Sequence, residues 1–173
     1  HQLLVPFLIK LKEKMIVYHG STTIVEHPIA DFGRDSLDFG KGFYVTTIKQ
    51  QAEKWAVQVA DRKRQGQPTL NTYRLDEIPA TYNRLKFEAY DRNWLEFIVA
   101  NRKGLNKWKD YDIIEGGIAN DRVFDTIEIY LAGLITIDEA IGRLRYQKVN
   151  SQICIINQEI INNYLHFIQC DSL

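Results

Sequence analysis

The stretch "DFGKGFYVTT", residues 38–47, sets two glycines around Lys41 and runs directly into a β-type segment carrying Phe43 and Tyr44. Gly40-Lys41-Gly42 begins like a dinucleotide fingerprint, yet position 45 is Val and a strand follows. The fingerprint needs a helix there, whose N-terminus would hold a pyrophosphate. The dinucleotide fingerprint therefore fails. A backbone loosened just ahead of a strand then has two explanations. Either the turn is tight and the tyrosine behind it is core, or a ligand lies on the turn with its flat part against the Tyr44 ring.

Working outward, "MIVYHGS" (residues 15–21) alternates as a strand, with Val17 and His19 on one face and Ile16 and Tyr18 on the other. Between the two strands, residues 22–41 form a long loop punctuated by Pro28, Gly33 and Gly40, a candidate ligand lid. After the second strand, Ile48, Ala52, Trp55, Ala56, Val59 and Ala60 recur at helical spacing and predict an amphipathic helix over 48–64 with those residues on its apolar face. "LNTYRLD", "YDIIEG", "SQICII" and "HFIQC" read as further strands, and "NQEIINNYL" as a short helix. Asp91, Asn120 and Thr136 each stand where a side-chain oxygen caps a helix. Strands and helices do not alternate regularly, which predicts an α+β fold built on antiparallel strands.

The 173 residues suit one domain, taken as 15–173, preceded by an appendage at 1–14 whose Leu3, Leu4, Phe7, Leu8 and Leu11 follow a helical repeat. The opening lacks a basic leader and a small-residue cleavage site, and is not read as an export signal. Equal numbers of basic and acidic residues, 22 of each, argue against broad nonspecific binding to nucleic acid. Small basic patches at Arg62-Lys63-Arg64 and Lys107-Trp108-Lys109 read mainly as solvated faces. Cys154 and Cys170 show no paired spacing, so neither a zinc site nor a disulfide framework is expected, and a reducing, cytoplasmic setting fits. No apolar run approaches the ~20 residues of a membrane span. Histidines at 1, 19, 27 and 166 lack metal-ligand spacing. Kinase, P-loop, G-x-S-x-G and H-E-x-x-H patterns are absent.

Three segments remain: "VYHGS" (17–21), "GKGFYVT" (40–46) and "NSQICI" (150–155). In this order they resemble the ADP-ribosyltransferase superfamily of the histidine-tyrosine-glutamate type. More closely, the chain resembles a bacterial family within it, described as a domain of unknown function. Its members open with a Y-H-G-S-like strand, continue with D-F-G-x-G-F-Y, and later carry an N-D pair and an N-x-Q-[IV]-C-like strand. The resemblance covers Met15 to about Leu165, and Gln51-Ala52 and Trp55-Ala56 behind the tyrosine strand add to it.

That resemblance implies a split antiparallel β-sandwich with surrounding helices, and NAD as a substrate held without a metal. His19 would hydrogen-bond a ribose, and the backbone of Gly20 would grip the nicotinamide amide. Gly42 would let the backbone approach the ligand, Tyr44 would stack on the nicotinamide ring, and Arg34 would reach the pyrophosphate. Each also has a plainer reading: hydrogen-bonding or core residues for His19 and Tyr44, a solvated loop for Arg34. The main departure is Gln152, where the fully active pattern has glutamate. A carboxamide can hydrogen-bond a ribose but cannot neutralise the cation that develops when the glycosidic bond breaks, a loss of about 3 kcal/mol or roughly a hundredfold in rate. Glu115, Asp121 and Glu159 are candidate substitute acids, although Asn120-Asp121 reads first as a helix cap. Three functions follow from the resemblance: a mono-ADP-ribosyltransferase acting on protein, DNA or RNA, as the toxin of a toxin–antitoxin pair with an antitoxin partner; a noncatalytic NAD- or ADP-ribose-binding or interaction module on the same fold; or an NAD glycohydrolase.

Overall fold

The computed structural model describes residues 14–33 and 38–173. The helical repeat at 3–11 and Arg34 lie outside the described residues. In chain order the regular elements begin with β1 (Met15–Ser21), β2 (Phe43–Val45), α1 (Lys49–Lys63), β3 (Thr69–Leu75), β4 (Arg84–Lys86) and α2 (Arg92–Arg102). They continue with β5 (Ile113–Gly116), α3 (Asp121–Leu131), α4 (Ile137–Leu144), β6 (Gln152–Ile155), α5 (Gln158–Tyr164) and β7 (Leu165–Ser172). The strands form one sheet in the order β1-β3-β7 and a second in the order β2-β6-β5-β4. The sheets meet at a backbone bridge, where Tyr18 and Thr46 exchange N–H···O bonds of 2.8 and 2.9 Å. The architecture is therefore α+β with two sheets. None of its described helices is long and apolar enough to cross a membrane.

The second sheet is covered on both faces, and strand alternation sorts its side chains between two cores. Phe43, Val45, Ile113, Ile153 and Ile155 face the first sheet and pack with Val17, Tyr73 and Leu75. Ile114 and Cys154 face the other way, into a layer containing Trp94, Leu95 and Ile98 of α2, Val123 and Ile127 of α3, and Ala140 and Leu144 of α4. Those helices start where the capping residues predict. The side chains of Asp91, Asn120 and Thr136 accept from the backbone N–H of Trp94, Val123 and Glu139. Each such cap is worth about 1 kcal/mol.

Two expectations are corrected. The helix after the tyrosine strand buries Ala52, Ala56 and Ala60, while Trp55 is 47% exposed and Ile48 is exposed too. The reason is distance: a Cβ added at Gly20 of β1 would lie 2.1 Å from the Ala52 carbonyl oxygen and 2.8 Å from the Ala56 nitrogen. Only a small-residue stripe allows α1 that close to β1, so the tryptophan turns outward beneath the Arg62 guanidinium. The strand pairing is also not purely antiparallel, because β4 runs parallel to β5. Arg84-Leu85-Lys86 has one apolar residue between two cations, too short an alternation to read as a strand.

Candidate functional site

The motif that opens the second strand is built into the protein residue by residue. The Asp38 carboxylate receives the Arg102 guanidinium, with nitrogens at 3.0 and 2.9 Å, and its carbonyl accepts from Asn101 Nδ2 at 2.9 Å. Asn101 is buried and also accepts from the Trp108 backbone N–H at 3.2 Å. Phe39 is wholly buried. Gly40 sits at φ +84°, where a Cβ would strike the Trp108 ring at 1.9 Å, and one at Gly42 would meet Cys154 Sγ at 2.6 Å. At both glycines the missing side chain makes room for protein: an indole at Gly40, and strand β6 at Gly42. Gly20 is alike, its space taken by α1.

The pinned turn delivers Tyr44 to a position between β1 and β6. Its carbonyl oxygen lies 2.7 Å from His19 Nδ1. A carbonyl can only accept, so Nδ1 carries the proton and Nε2 presents a lone pair. Burial pushes the imidazole pKa below its ordinary 6.5, against the raising effect of this hydrogen bond, so His19 is neutral near pH 7. Its ring leans on Phe43, with centroids 4.4 Å apart, on the side facing the first sheet. The Tyr44 side chain takes the opposite face, opposite Cys154 in register and packed on the helix layer, with its hydroxyl donating to the Gly40 carbonyl at 2.5 Å. Burial, then the neighbouring Cys154 thiol, pushes the phenol far above its usual pKa, so Tyr44 stays protonated. The same burial lifts Cys154 to about 12, which removes it as a nucleophile.

Gln152 begins β6 opposite Gly116 and lines a pocket of about 240 Å³ shared with Thr47, Lys86, Phe87, Glu115 and Ser151. Next to it the Ser151 carbonyl accepts two side-chain hydrogen bonds, from Thr46 Oγ1 at 2.7 Å and Gln51 Nε2 at 2.8 Å. The other amide atom, Gln51 Oε1, is buried with no hydrogen-bond partner among the described residues. An atom left so costs about 1–3 kcal/mol. Of the candidate acids, only Glu115 lines this pocket. It is 9% exposed and paired with Arg84 at 2.5 Å. Asn120 caps α3 and Asp121 is exposed in its first turn, while Glu159 accepts from the Tyr82 hydroxyl at 2.8 Å.

A larger groove, of about 790 Å³, went unread in the sequence. Its walls include His27, Asp31, Lys41, Trp108, Gln158 and Asn162. His19, Tyr44 and Gln152 do not line it. It lies beyond Ile155, at the end of β6 away from Gln152. Gln158 shapes one wall, accepting from Ala30 N at 2.9 Å and donating to the Pro28 carbonyl at 3.0 Å. Segments so far apart in the chain leave no local pattern to read. The start of the loop expected to be a lid is tied down as well, through Val25 N to Asn71 Oδ1 at 2.9 Å and through the Tyr73 hydroxyl to the Val25 carbonyl. Among the described residues, no three His, Cys, Asp or Glu side chains gather as a metal site.

No curated protein and no solved structure matches the chain. Residues 15–167 match a family model described as "Protein of unknown function (DUF3990)", and the chain, matched over most of its length, belongs to that family.

Proposed function

We propose that this protein is an NAD-dependent mono-ADP-ribosyltransferase on a split β-sandwich of the ADP-ribosyltransferase kind. One observation carries the reading. At the joint between the two sheets, a neutral His19 is held by the backbone of Tyr44, and Gln152 opens β6, the strand paired with that of Tyr44. His19 Nε2 accepts from a ribose hydroxyl of NAD, and the Gln152 carboxamide bonds the sugar from the neighbouring strand. The bond between C1′ and the nicotinamide nitrogen breaks, and its electron pair leaves with nicotinamide. A lone pair of the acceptor then attacks C1′, and its proton passes to solvent. Positive charge on the sugar peaks between these events. Glu115 supplies an anion in the Gln152 pocket, although its pairing with Arg84 spends part of its field.

The acceptor is a macromolecule, protein or nucleic acid. The bacterial resemblance assigns the role of a toxin restrained by an antitoxin protein, and the free Cys154 and Cys170 suit a reducing, cytoplasmic setting. Incubation with labelled NAD and cell extract tests the reading: a discrete target becomes labelled, and His19→Ala abolishes it. Gln152→Glu raises the rate by roughly a hundredfold. Folded protein that neither binds NAD nor transfers label would end the proposal.

A second reading, a noncatalytic NAD or ADP-ribose binding module, is favoured by Gln152 itself, which brings no charge to the sugar. Calorimetric binding of NAD without nicotinamide release identifies it. Release of nicotinamide with no labelled acceptor identifies an NAD glycohydrolase instead.

A further inference from the structure

We propose that Gln51 is a positioning residue for Gln152, acting through the Ser151 peptide; this rests on the functional reading above. The β2–β6 ladder runs from Phe43↔Ile155 to Val45↔Ile153 and stops one residue short of Gln152. Thr46, the residue that follows β2, spends its backbone N–H and C=O on Tyr18 of the other sheet. On that edge Gln152 is therefore held by side chains in place of a ladder. Thr46 Oγ1 and Gln51 Nε2 both donate to the Ser151 carbonyl, at 2.7 and 2.8 Å. Because the peptide unit is planar, fixing that carbonyl fixes the Gln152 nitrogen and Cα, the point from which its side chain leaves. Thr46 Oγ1 also accepts from Ile48 N at 3.1 Å, so the clamp joins the end of β2, the first turn of α1 and the start of β6.

Stability alone does not call for glutamine here. The buried Oε1 has no partner among the described residues, and an unbranched apolar side chain of similar size would fill the space without an orphaned acceptor. What such a side chain would lose is the donor to Ser151. Retention of that donor with an unsatisfied acceptor attached points to alignment of the neighbouring carboxamide.

Gln51→Met tests this. Its melting temperature is expected to equal or exceed that of the parent, while backbone amide exchange at Gln152, followed by NMR in the ligand-free protein, speeds up about tenfold. Nicotinamide release from NAD falls between about tenfold and a hundredfold in kcat with KM nearly unchanged, and adding Gln51→Met to Gln152→Ala lowers the rate no further. Thr46→Val combined with Gln51→Met accelerates the exchange again. Unchanged exchange in Gln51→Met, or a full additional loss in the Gln152→Ala background, overturns the clamp. A parent protein that releases no nicotinamide refutes the transferase reading, and the exchange measurement then still decides the clamp.

Discussion

The strand β6 has a different neighbourhood at each end. At Gln152 the pocket is small, about 240 Å³, but dense in directed polar groups: the doubly bonded Ser151 carbonyl and the Arg84–Glu115 pair. Beyond Ile155 the groove is larger, about 790 Å³, and its hydrogen bonds serve mainly to hold its own wall together. Typical small-molecule sites occupy ~300–1,000 Å³, so room alone favours the second end. Chemistry favours the first, where Gln152 shares a pocket with the Glu115 carboxylate, although His19 and Tyr44 line neither space. The two ends of the strand are roughly 10 Å apart at ~3.3 Å per residue. Volume and reactive groups are thus separable in this fold, and the polar end is the one worth perturbing.

The largest expected effect breaks the polar end at its foundation. Gly20→Ala forces a Cβ into the Ala52 carbonyl, and because that neighbour is backbone, denaturant unfolding should register a loss of about 3 kcal/mol. A loss below about 1 kcal/mol would mean that α1 can retreat, and that the close approach is not what turned Trp55 outward. Asn101→Ala attacks the turn leading to Tyr44 and the Trp108 wall of the groove together. It leaves the Asp38 carbonyl and the Trp108 N–H without their partner, at a cost of about 2 kcal/mol in the same assay.

Acidity perturbs the joint through His19. The folded-state pKa of His19 lies below its unfolded value of 6.5, so the unfolded chain takes up the proton first as pH falls. The stability contributed by the neutral ring is complete above 6.5 and is lost as pH drops from there toward the lowered folded value. Urea midpoints should therefore decline over that window, and His19→Gln should remove its share of the slope; an unchanged slope would show that His19 protonates as easily folded as unfolded. The smallest effect belongs to the groove rim. Asp31, whose side chain is 91% exposed, pairs with Lys41 at 3.4 Å. Asp31→Asn should move the melting curve by no more than about 0.5 kcal/mol. A larger shift would make the groove wall as tightly built as the joint.

Much of the fold was legible because local rules carry it. Asp91, Asn120 and Thr136 cap helices through their own side chains, and β1, β3, β5 and β6 alternate or run apolar as buried strands do. The misplaced Trp55 shows where such rules end. Trp55 and the alanines at 52, 56 and 60 all satisfy helical spacing, and the stripe that turns inward is chosen by how near β1 stands at Gly20. At the site the residue identities were readable but their sides were not. His19 meets the carbonyl of Tyr44 while the phenol faces the opposite core, a consequence of strand register.

By itself, the sequence determined most of the elements, their caps and the aromatic strand behind a glycine turn, since these depend on periodicity and on hydrogen bonds spanning a few residues. Only the tertiary structure decided that the spaces over Gly20, Gly40 and Gly42 are filled by α1, Trp108 and β6. It alone brought Gln51 of α1 to the carbonyl next to Gln152, 100 positions along the chain from Gln51 to Ser151. Contacts at that separation are set by which surfaces can pack within van der Waals distance, and no local pattern encodes that choice.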